Sequence, residues 1–345
     1  VKQQRNQRAR NGMTRTLRAA LAVLAIMTIA PAALARCEVD KPVTLADLNW
    51  DSSAFHVAVA ARILKDGYGC HVERKPGATR PLFKALARGE VDIMMEVWKD
   101  NIPTLWRQAA QAGDVVEMGV NYPDAVQGWF VPAYLVRGED APAPDLESVR
   151  DLADYRDLFA DPEDRGKGRF YNCMLGWGCE KVNTRKLHAY GLADDFNNFR
   201  PVSGRALVRA IAGHYEKREP FLTYYWGPTW VLGTYDLVML EEPPYDPEIW
   251  SEMNRNRRPE AATAYPTSAI TIAVSDEFAE AAPEIVGFLE SYRTSNDLVS
   301  AALADMRRLE GDAEAAARRF LTARPEIWTE WVPEDVARRV REGLS

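Results

Sequence analysis

The sequence lacks the short motifs that mark common enzyme classes. It has no G-x-S-x-G, no H-E-x-x-H, no G-x-x-x-x-G-K-[ST] and no strand-linked G-x-G-x-x-G. Histidine is scarce, and the four are scattered: His56, His71, His188 and His214. That scatter does not give the ligand spacing of a zinc site. We therefore expect no catalytic residues, no metal and no cofactor.

Acidic residues are absent from the first 35 positions. These positions carry six basic residues, an apolar run over 19–30 and the small-residue stretch "APAALA" ending at Ala35. This order is typical of a secretory signal peptide, so residues 1–35 are predicted to be one, cleaved near Ala35. The apolar run is short for a membrane span, although an uncleaved anchor is the alternative.

Positive charge is scarce in the rest of the chain. Residues 1–35 hold six of the 43 basic residues and none of the 50 acidic ones, so without them the formal charge falls from −7 to −13. A chain this acidic is a poor partner for nucleic acid or an anionic membrane. A monomeric protein exported to the periplasm is the expectation.

Cysteine is also scarce, at four residues. Cys173 and Cys179 lie six positions apart around "MLGWG", a spacing that suits a redox pair, half of a metal site or a disulfide-closed loop. Because an oxidising compartment makes disulfides the expected state of an even number of cysteines, we expect the loop. Cys37 and Cys70 then form the second expected pair.

Strand and helix patterns alternate after residue 42. We predict strands at 43–50, 70–76 and 91–98, with a helix over 52–69 that has a serine N-cap and a second helix over 80–90. This alternation indicates an α/β lobe with a largely parallel sheet. Ligands of such sheets bind beyond the carboxyl ends of the strands, which points to residues 51–53 and 98–101.

A second α/β region lies between two apolar, β-rich stretches at 127–138 and 266–276, and helices follow to residue 345. The predicted architecture is two α/β lobes joined by two crossover strands, with a ligand cleft between them. Residues 36–130 and 272–345 form the first lobe in this interpretation, and residues 131–271 form the second.

Tryptophans stand at expected strand ends or in a glycine-rich loop: Trp50, Trp98, Trp177 and Trp226. Burial in the core is the alternative for any one of them. Four in two lobes favour a cavity lined by indole faces, which attract a cation that cannot donate hydrogen bonds, such as a quaternary ammonium group.

The stretch "GWGCEKVNTRKLHAYGL" reads as a loop that enters a helix near Cys179. The first amides of a helix have no partner within it and can bind an anion. Gly176 and Gly178 would allow close backbone approach. Trp177 beside a trimethylammonium group, with the Gly178 and Cys179 amides on a carboxylate, would make a site for a zwitterion.

These residues carry a family resemblance. "NCMLGWGCE" and "FLTYYWGPTWV", with "VDIMMEVWKDNIP" upstream and "QGWFVP" between, resemble the glycine betaine/proline betaine substrate-binding proteins of ABC importers. The resemblance implies a type II periplasmic-binding-protein fold that closes on its ligand. It also implies box tryptophans at Trp98, Trp177 and Trp226, carboxylate-binding amides at Gly178 and Cys179, and a Cys173–Cys179 disulfide.

Two departures from the family pattern bear on the ligand. The family's histidine after the first box tryptophan is missing, and Lys99 or Asn101 is the candidate replacement. Glu96 shares a strand face with Trp98, and Asp51 follows Trp50, so either carboxylate would favour a cationic or hydroxyl-bearing ligand. A surface salt bridge is the alternative for Glu96.

The sequence therefore predicts a periplasmic binding protein that delivers glycine betaine, or a related quaternary-ammonium solute, to an inner-membrane ABC permease. Choline and trimethylamine N-oxide are alternative ligands, and Trp230 is an alternative to Trp50 in the box. An exported enzyme acting on a methylated amine and a sensor with the same fold are the rival classes.

Overall fold

The computed structural model describes residues 36–345, so the predicted signal peptide lies outside the described residues. Within this range, no helix combines the length and the apolar character that a membrane crossing requires.

The predicted α/β class is confirmed: the described residues form one mixed sheet surrounded by helices. The strands are β1 Val43–Leu48, β2 Val72–Gly77, β3 Ile93–Val97, β4 Val115–Pro132, β5 Gly168–Tyr171, β6 Phe196–Phe199, β7 Leu222–Gly227, β8 Leu237–Met239 and β9 Ser268–Ser275.

The helices are α1 Asp51–Arg62, α2 Thr79–Leu86, α3 Pro103–Ala112, α4 Ala133–Val136, α5 Gly178–Ala189, α6 Gly204–Glu216, α7 Trp230–Thr234, α8 Pro247–Arg255, α9 Asp276–Ala281, α10 Pro283–Ser291, α11 Asn296–Arg308, α12 Ala313–Ala323, α13 Pro325–Trp328 and α14 Glu334–Leu344. A π-helical turn, Ile63–Gly67, continues α1, and single 3₁₀ turns cover Lys99–Asn101, Asp151–Ala153, Arg156–Phe159 and Thr329–Trp331.

The strand order in the sheet is β2-β1-β3-β9-β4-β7-β5-β6, with β8 also paired to β4. The three strands at each end are parallel, and the central pairs β3-β9, β9-β4 and β4-β7 are antiparallel. The sheet is therefore less parallel than predicted. We call β1, β2, β3 and β9 with their helices the first half, and β5, β6, β7 and β8 with theirs the second half.

The long strand β4 links the two halves. It pairs with β9 as far as Ala125 and with β7 from Val126 onward. Its partner therefore changes at one point along a continuous strand, where the chain passes from one half to the other. The lobe boundaries after residues 130 and 271 stay a prediction.

The sequence patterns explain the elements that carry the site. The β3 sequence "IMMEV" is buried throughout, as expected for a strand covered on both faces. The serine N-cap predicted for the first helix is wrong: the chain turns two residues after β1, so Trp50 takes the N-cap position and Ser52 and Ser53 lie buried in the first turn. The β-rich stretch at 127–138 is a strand only to Pro132 and then turns into α4.

Two disulfides join loops to this framework. Cys37 bonds to Cys70, which connects the segment before β1 to the segment before β2. Cys173 bonds to Cys179 and closes the loop between β5 and α5. Trp177, at the N-terminus of α5, therefore lies within the loop that the second disulfide closes.

Candidate functional site

A cavity lies where strand ends and helix N-termini of both halves meet. The first half contributes residues that follow β1 and β3 and the first residue of α2. The second half contributes the start of α5 and the end of β7. The lining residues are Trp50, Thr79, Trp98, Asn101, Trp177, Gly178, Cys179, Tyr224 and Trp226. The four tryptophans predicted to form a site are thus brought together, and we call them the aromatic box.

Trp177 is the centre of the aromatic box. Its ring centroid lies 5.3 Å from that of Trp50, with an angle of 79° between the planes, and 5.3 Å from that of Trp226, with an angle of 86°. The Tyr224 ring stacks on Trp226, with 6.0 Å between the ring centroids. The face of an aromatic ring is electron-rich and its edge is electron-poor, so a cation is attracted to those indole faces that are open to the cavity.

Three of the four indole N–H groups of the aromatic box donate to residues that do not line the cavity. Those of Trp50 and Trp98 both donate to Glu96 Oε2, at 2.7 and 3.3 Å. That of Trp177 donates to Asn49 Oδ1 at 2.6 Å. These bonds hold three rings by their polar edges and leave the aromatic faces for a ligand.

The lining of the cavity also includes backbone at the start of two helices. Trp177 is the N-cap of α5, so Gly178 and Cys179 are its first two residues, and their N–H groups have no acceptor within the helix. Thr79, the first residue of α2, lines the same cavity. Two helix N-termini therefore meet here, and both favour an anion.

The two glycines of the "GWGC" loop allow this approach. Gly176 has a φ of +96°, and a Cβ there would lie 2.8 Å from the Cβ of Ala78. A Cβ on Gly178 would lie 2.6 Å from the Cβ of Asn101. The Arg80 N–H donates to the Gly176 carbonyl at 3.1 Å. The loop therefore packs directly on the start of α2.

The two carboxylates singled out in the sequence lie behind tryptophans. Glu96 is fully buried, and burial raises its pKa because the charged form loses hydration. Asp51 Oδ2 accepts the N–H of Trp230 at 3.3 Å, and both residues line a neighbouring cavity. Trp50, and not Trp230, therefore lines the cavity together with Trp98, Trp177 and Trp226. Direct ligand contacts by Glu96 and Asp51 stay a prediction.

Of the candidate replacements for the missing histidine, Asn101 lines the cavity. Its Nδ2 donates to Gln127 Oε1 at 2.7 Å, and Tyr224 donates to the same oxygen at 2.8 Å. Asn101 Oδ1 is buried and has no hydrogen-bond partner among the described residues. Lys99 instead pairs with Glu117 at 2.7 Å.

Sequence reasoning missed Thr79, Tyr224 and the role of Asn49. Tyr224 had a signal, because it lies two residues before Trp226 in one strand and so shares its face. Thr79 and Asn49 had no such signal, since their position depends on packing between the halves.

In residues 36–345, no three His, Cys, Asp or Glu side chains are grouped to hold a metal ion.

Known proteins are similar to this chain in sequence and in fold. The glycine betaine-binding periplasmic protein OusX of Dickeya dadantii is 25% identical over 167 residues, which are 47% of this chain and 48% of that protein. The chain is thus aligned with about half the length of this curated relative.

Two solved structures show the fold. An ABC-transporter choline-binding protein in complex with choline superposes with a TM-score of 0.70 at 15% identity, covering 88% of this chain and 98% of that one. Lactococcal OpuAC, closed on glycine betaine, superposes with a TM-score of 0.66 at 20% identity, covering 85% and 100%. The predicted type II periplasmic-binding-protein fold is confirmed.

The family match extends over most of the sequence. Residues 41–323 match the substrate-binding domain of the ABC-type glycine betaine transport system. This range includes every residue that lines the cavity. The chain belongs to the family of substrate-binding domains of ABC-type glycine betaine transport systems.

Proposed function

We propose that this chain is the periplasmic substrate-binding component of an ABC importer and captures a quaternary-ammonium solute, with glycine betaine as the first candidate. One observation carries the proposal: indole faces and the N-termini of α2 and α5 line one cavity. A zwitterion with a trimethylammonium group and a carboxylate matches these two ends.

The cationic head would lie against Trp177 and its perpendicular neighbours. Each cation–π contact contributes about 0.5–2 kcal/mol, and more when water is excluded. The rings of Trp50, Trp177 and Trp226 are buried or half-buried, so the contacts would form in a desolvated space. A trimethylammonium group has no N–H to donate, so it needs no hydrogen-bond acceptor. It therefore loses nothing against an indole face, which offers none.

The carboxylate would accept hydrogen bonds from the Gly178 and Cys179 amides. Hydrogen bonds to a charged group contribute about 1.5–3 kcal/mol each. Closure and ordering costs offset part of the sum, so we expect a Kd in the micromolar range. Asn101 takes the place of the family's histidine beside these amides in this proposal.

Delivery would depend on closure between the halves. The cavity takes residues from both, and the Trp177–Asn49 hydrogen bond crosses from one to the other. A ligand that contacts both halves favours the closed form over the open one. An inner-membrane permease would recognise that closed form and receive the ligand.

A ligand without a carboxylate is the second candidate. The unpaired Asn101 Oδ1 is an acceptor that suits the hydroxyl of choline, and the buried carboxyl of Glu96 suits a net positive charge. A structurally similar protein is described in complex with choline.

Calorimetric titration of ligand-free residues 36–345 tests the proposal. Glycine betaine, choline and trimethylamine N-oxide would be compared with 3,3-dimethylbutanoate, the carbon isostere of glycine betaine without the positive charge. We expect micromolar binding of glycine betaine and about 100-fold weaker binding of the isostere. Equal binding of the isostere, or no binding of any methylated amine, would reject the proposal. Proton NMR of the recovered ligand separates binding from turnover, because a binding protein returns it unchanged.

A further inference from the structure

Glu96 connects two members of the aromatic box through one atom. Its Oε2 accepts the indole N–H groups of both Trp50 and Trp98. Trp50 follows β1 and Trp98 follows β3, and these strands are neighbours in the sheet. A single oxygen atom thus fixes the relative orientation of two cavity walls that lie 48 positions apart in the sequence.

The side of Glu96 away from the tryptophans offers no positive charge. Within the described part of the chain, the one basic group within 4.0 Å is His56, whose Nε2 lies 3.8 Å from Oε1. His56 is fully buried, its Nδ1 is 2.8 Å from the Tyr292 hydroxyl, and its ring stacks on Tyr122. Burial lowers the pKa of His56 to about 3, so this imidazole is neutral.

Among residues 36–345, the carboxyl of Glu96 is therefore a buried acid without a cationic partner. Buried charges are costly unless they are paired. Burial raises the pKa of this carboxyl, whereas the two N–H groups on Oε2 act in the opposite direction, because they favour the ionised form, which accepts hydrogen bonds and does not donate them. The cavity beyond the two indoles is the place where a compensating cation fits.

We propose that Glu96 is a positioning residue that orients Trp50 and Trp98 and, through its charge behind them, strengthens the binding of a cation more than the binding of a zwitterion. This inference rests on the proposed function and concerns the choice between its ligands. Glu96 acts through the tryptophans and does not touch the ligand. A cation such as choline gains the full attraction, whereas the carboxylate of glycine betaine is repelled by the same charge.

Three variants separate charge from shape. Glu96→Gln keeps an acceptor oxygen and the side-chain size but removes the charge. Glu96→Leu removes the acceptor as well. Glu73→Gln, an exposed position on β2, is the matched control for the loss of one negative charge. Each variant would be titrated with choline and with glycine betaine, and its thermal unfolding recorded.

We expect Glu96→Gln to weaken the binding of choline about 10-fold and the binding of glycine betaine about 3-fold, so that the ratio of the two Kd values changes. Glu73→Gln should leave both unchanged. In ¹⁵N NMR spectra, the indole signals of Trp50 and Trp98, assigned with Trp50→Phe and Trp98→Phe, should shift in Glu96→Leu, whereas the Trp106 signal should not.

An unchanged ratio of Kd values in Glu96→Gln, or unshifted Trp50 and Trp98 signals in Glu96→Leu, would overturn the inference. If the wild-type protein binds neither ligand, the proposed function fails instead, and the two failures are thereby distinguished. If Glu96→Leu does not fold, the inference is tested by the ratio of the choline and glycine betaine Kd values in the near-isosteric Glu96→Gln.

Discussion

The two ends of the cavity are built from different parts of the polypeptide. In the proposed site, the cation end consists of side chains: four tryptophans contributed by both halves of the sheet, three of which donate their indole N–H groups to Glu96 or Asn49. The polar end consists mainly of backbone: the first amides of α5, presented by a disulfide-closed loop with two glycines.

This difference determines how each end responds to mutation. Side-chain replacement removes a wall of the cation end directly. Replacements other than proline do not remove the polar end in that way, because they keep the backbone N–H; they act only by changing the shape of the loop. Matched replacements at the two ends therefore test the comparison.

The largest effect is expected at the centre of the cation end. Trp177→Ala removes the ring that faces both Trp50 and Trp226, and we expect glycine betaine affinity to fall about 100-fold or more. Calorimetry measures the loss. Trp106→Ala, on α3 outside the cavity, is the control and should bind normally. Wild-type affinity in Trp177→Ala would mean that this residue is only part of the core.

A smaller effect is expected from one methyl group at the polar end. Gly178→Ala places a Cβ 2.6 Å from the Cβ of Asn101, so the start of α5 must move away from the 3₁₀ turn Lys99–Asn101. We expect a loss of about 30-fold for glycine betaine, by titration, since shifted amides no longer align with a carboxylate. Gly213→Ala, a helical glycine with no atom within 4 Å of the added Cβ, should have no effect. Equal affinities of the two variants would contradict the backbone site.

The disulfide should matter less than the glycine. The double variant Cys173→Ser, Cys179→Ser frees the loop without adding bulk, and we expect about 10-fold weaker glycine betaine binding and a smaller loss for choline. The double variant Cys37→Ser, Cys70→Ser should lower the midpoint of thermal unfolding and leave affinity unchanged, because that bridge lies away from the cavity. An equal loss for both ligands would show that the loop does not serve the carboxylate alone.

The smallest effect is expected from losing one indole N–H. Trp50→Phe keeps an aromatic ring in the box but gives up the 2.7 Å bond to Glu96, and we expect a loss of about 3-fold in titrations with either ligand. Trp230→Phe gives up the corresponding bond to Asp51 in the neighbouring cavity and should bind normally. The reverse result would place Trp230 in the box instead of Trp50.

The sequence predicted the local parts of this site well. The "GWGC" loop, its glycines and the helix that follows lie within 173–189, so short-range rules sufficed to predict a helix N-terminus beside Trp177. The alternation of strand residues likewise placed Glu96 on the face of Trp98, and the two are hydrogen-bonded.

The parts that depend on packing between distant segments were not predictable. Nothing in the sequence indicates that the N–H of Trp50 reaches Glu96 or that Asn49 reaches Trp177. Thr79 lines the cavity because the start of α2 packs against a loop nearly a hundred positions later, through the Arg80–Gly176 hydrogen bond. The antiparallel centre of the sheet was missed for the same reason, since β4 and β9 are far apart in the chain.

A crystal structure of residues 36–345 with glycine betaine bound tests the central claim most directly. The account predicts the trimethylammonium group against the faces of Trp177 and Trp226, and the carboxylate on the Gly178 and Cys179 amides. A carboxylate directed elsewhere, or a ligand outside the aromatic box, would contradict the division of the cavity into a side-chain end for the cation and a backbone end for the anion.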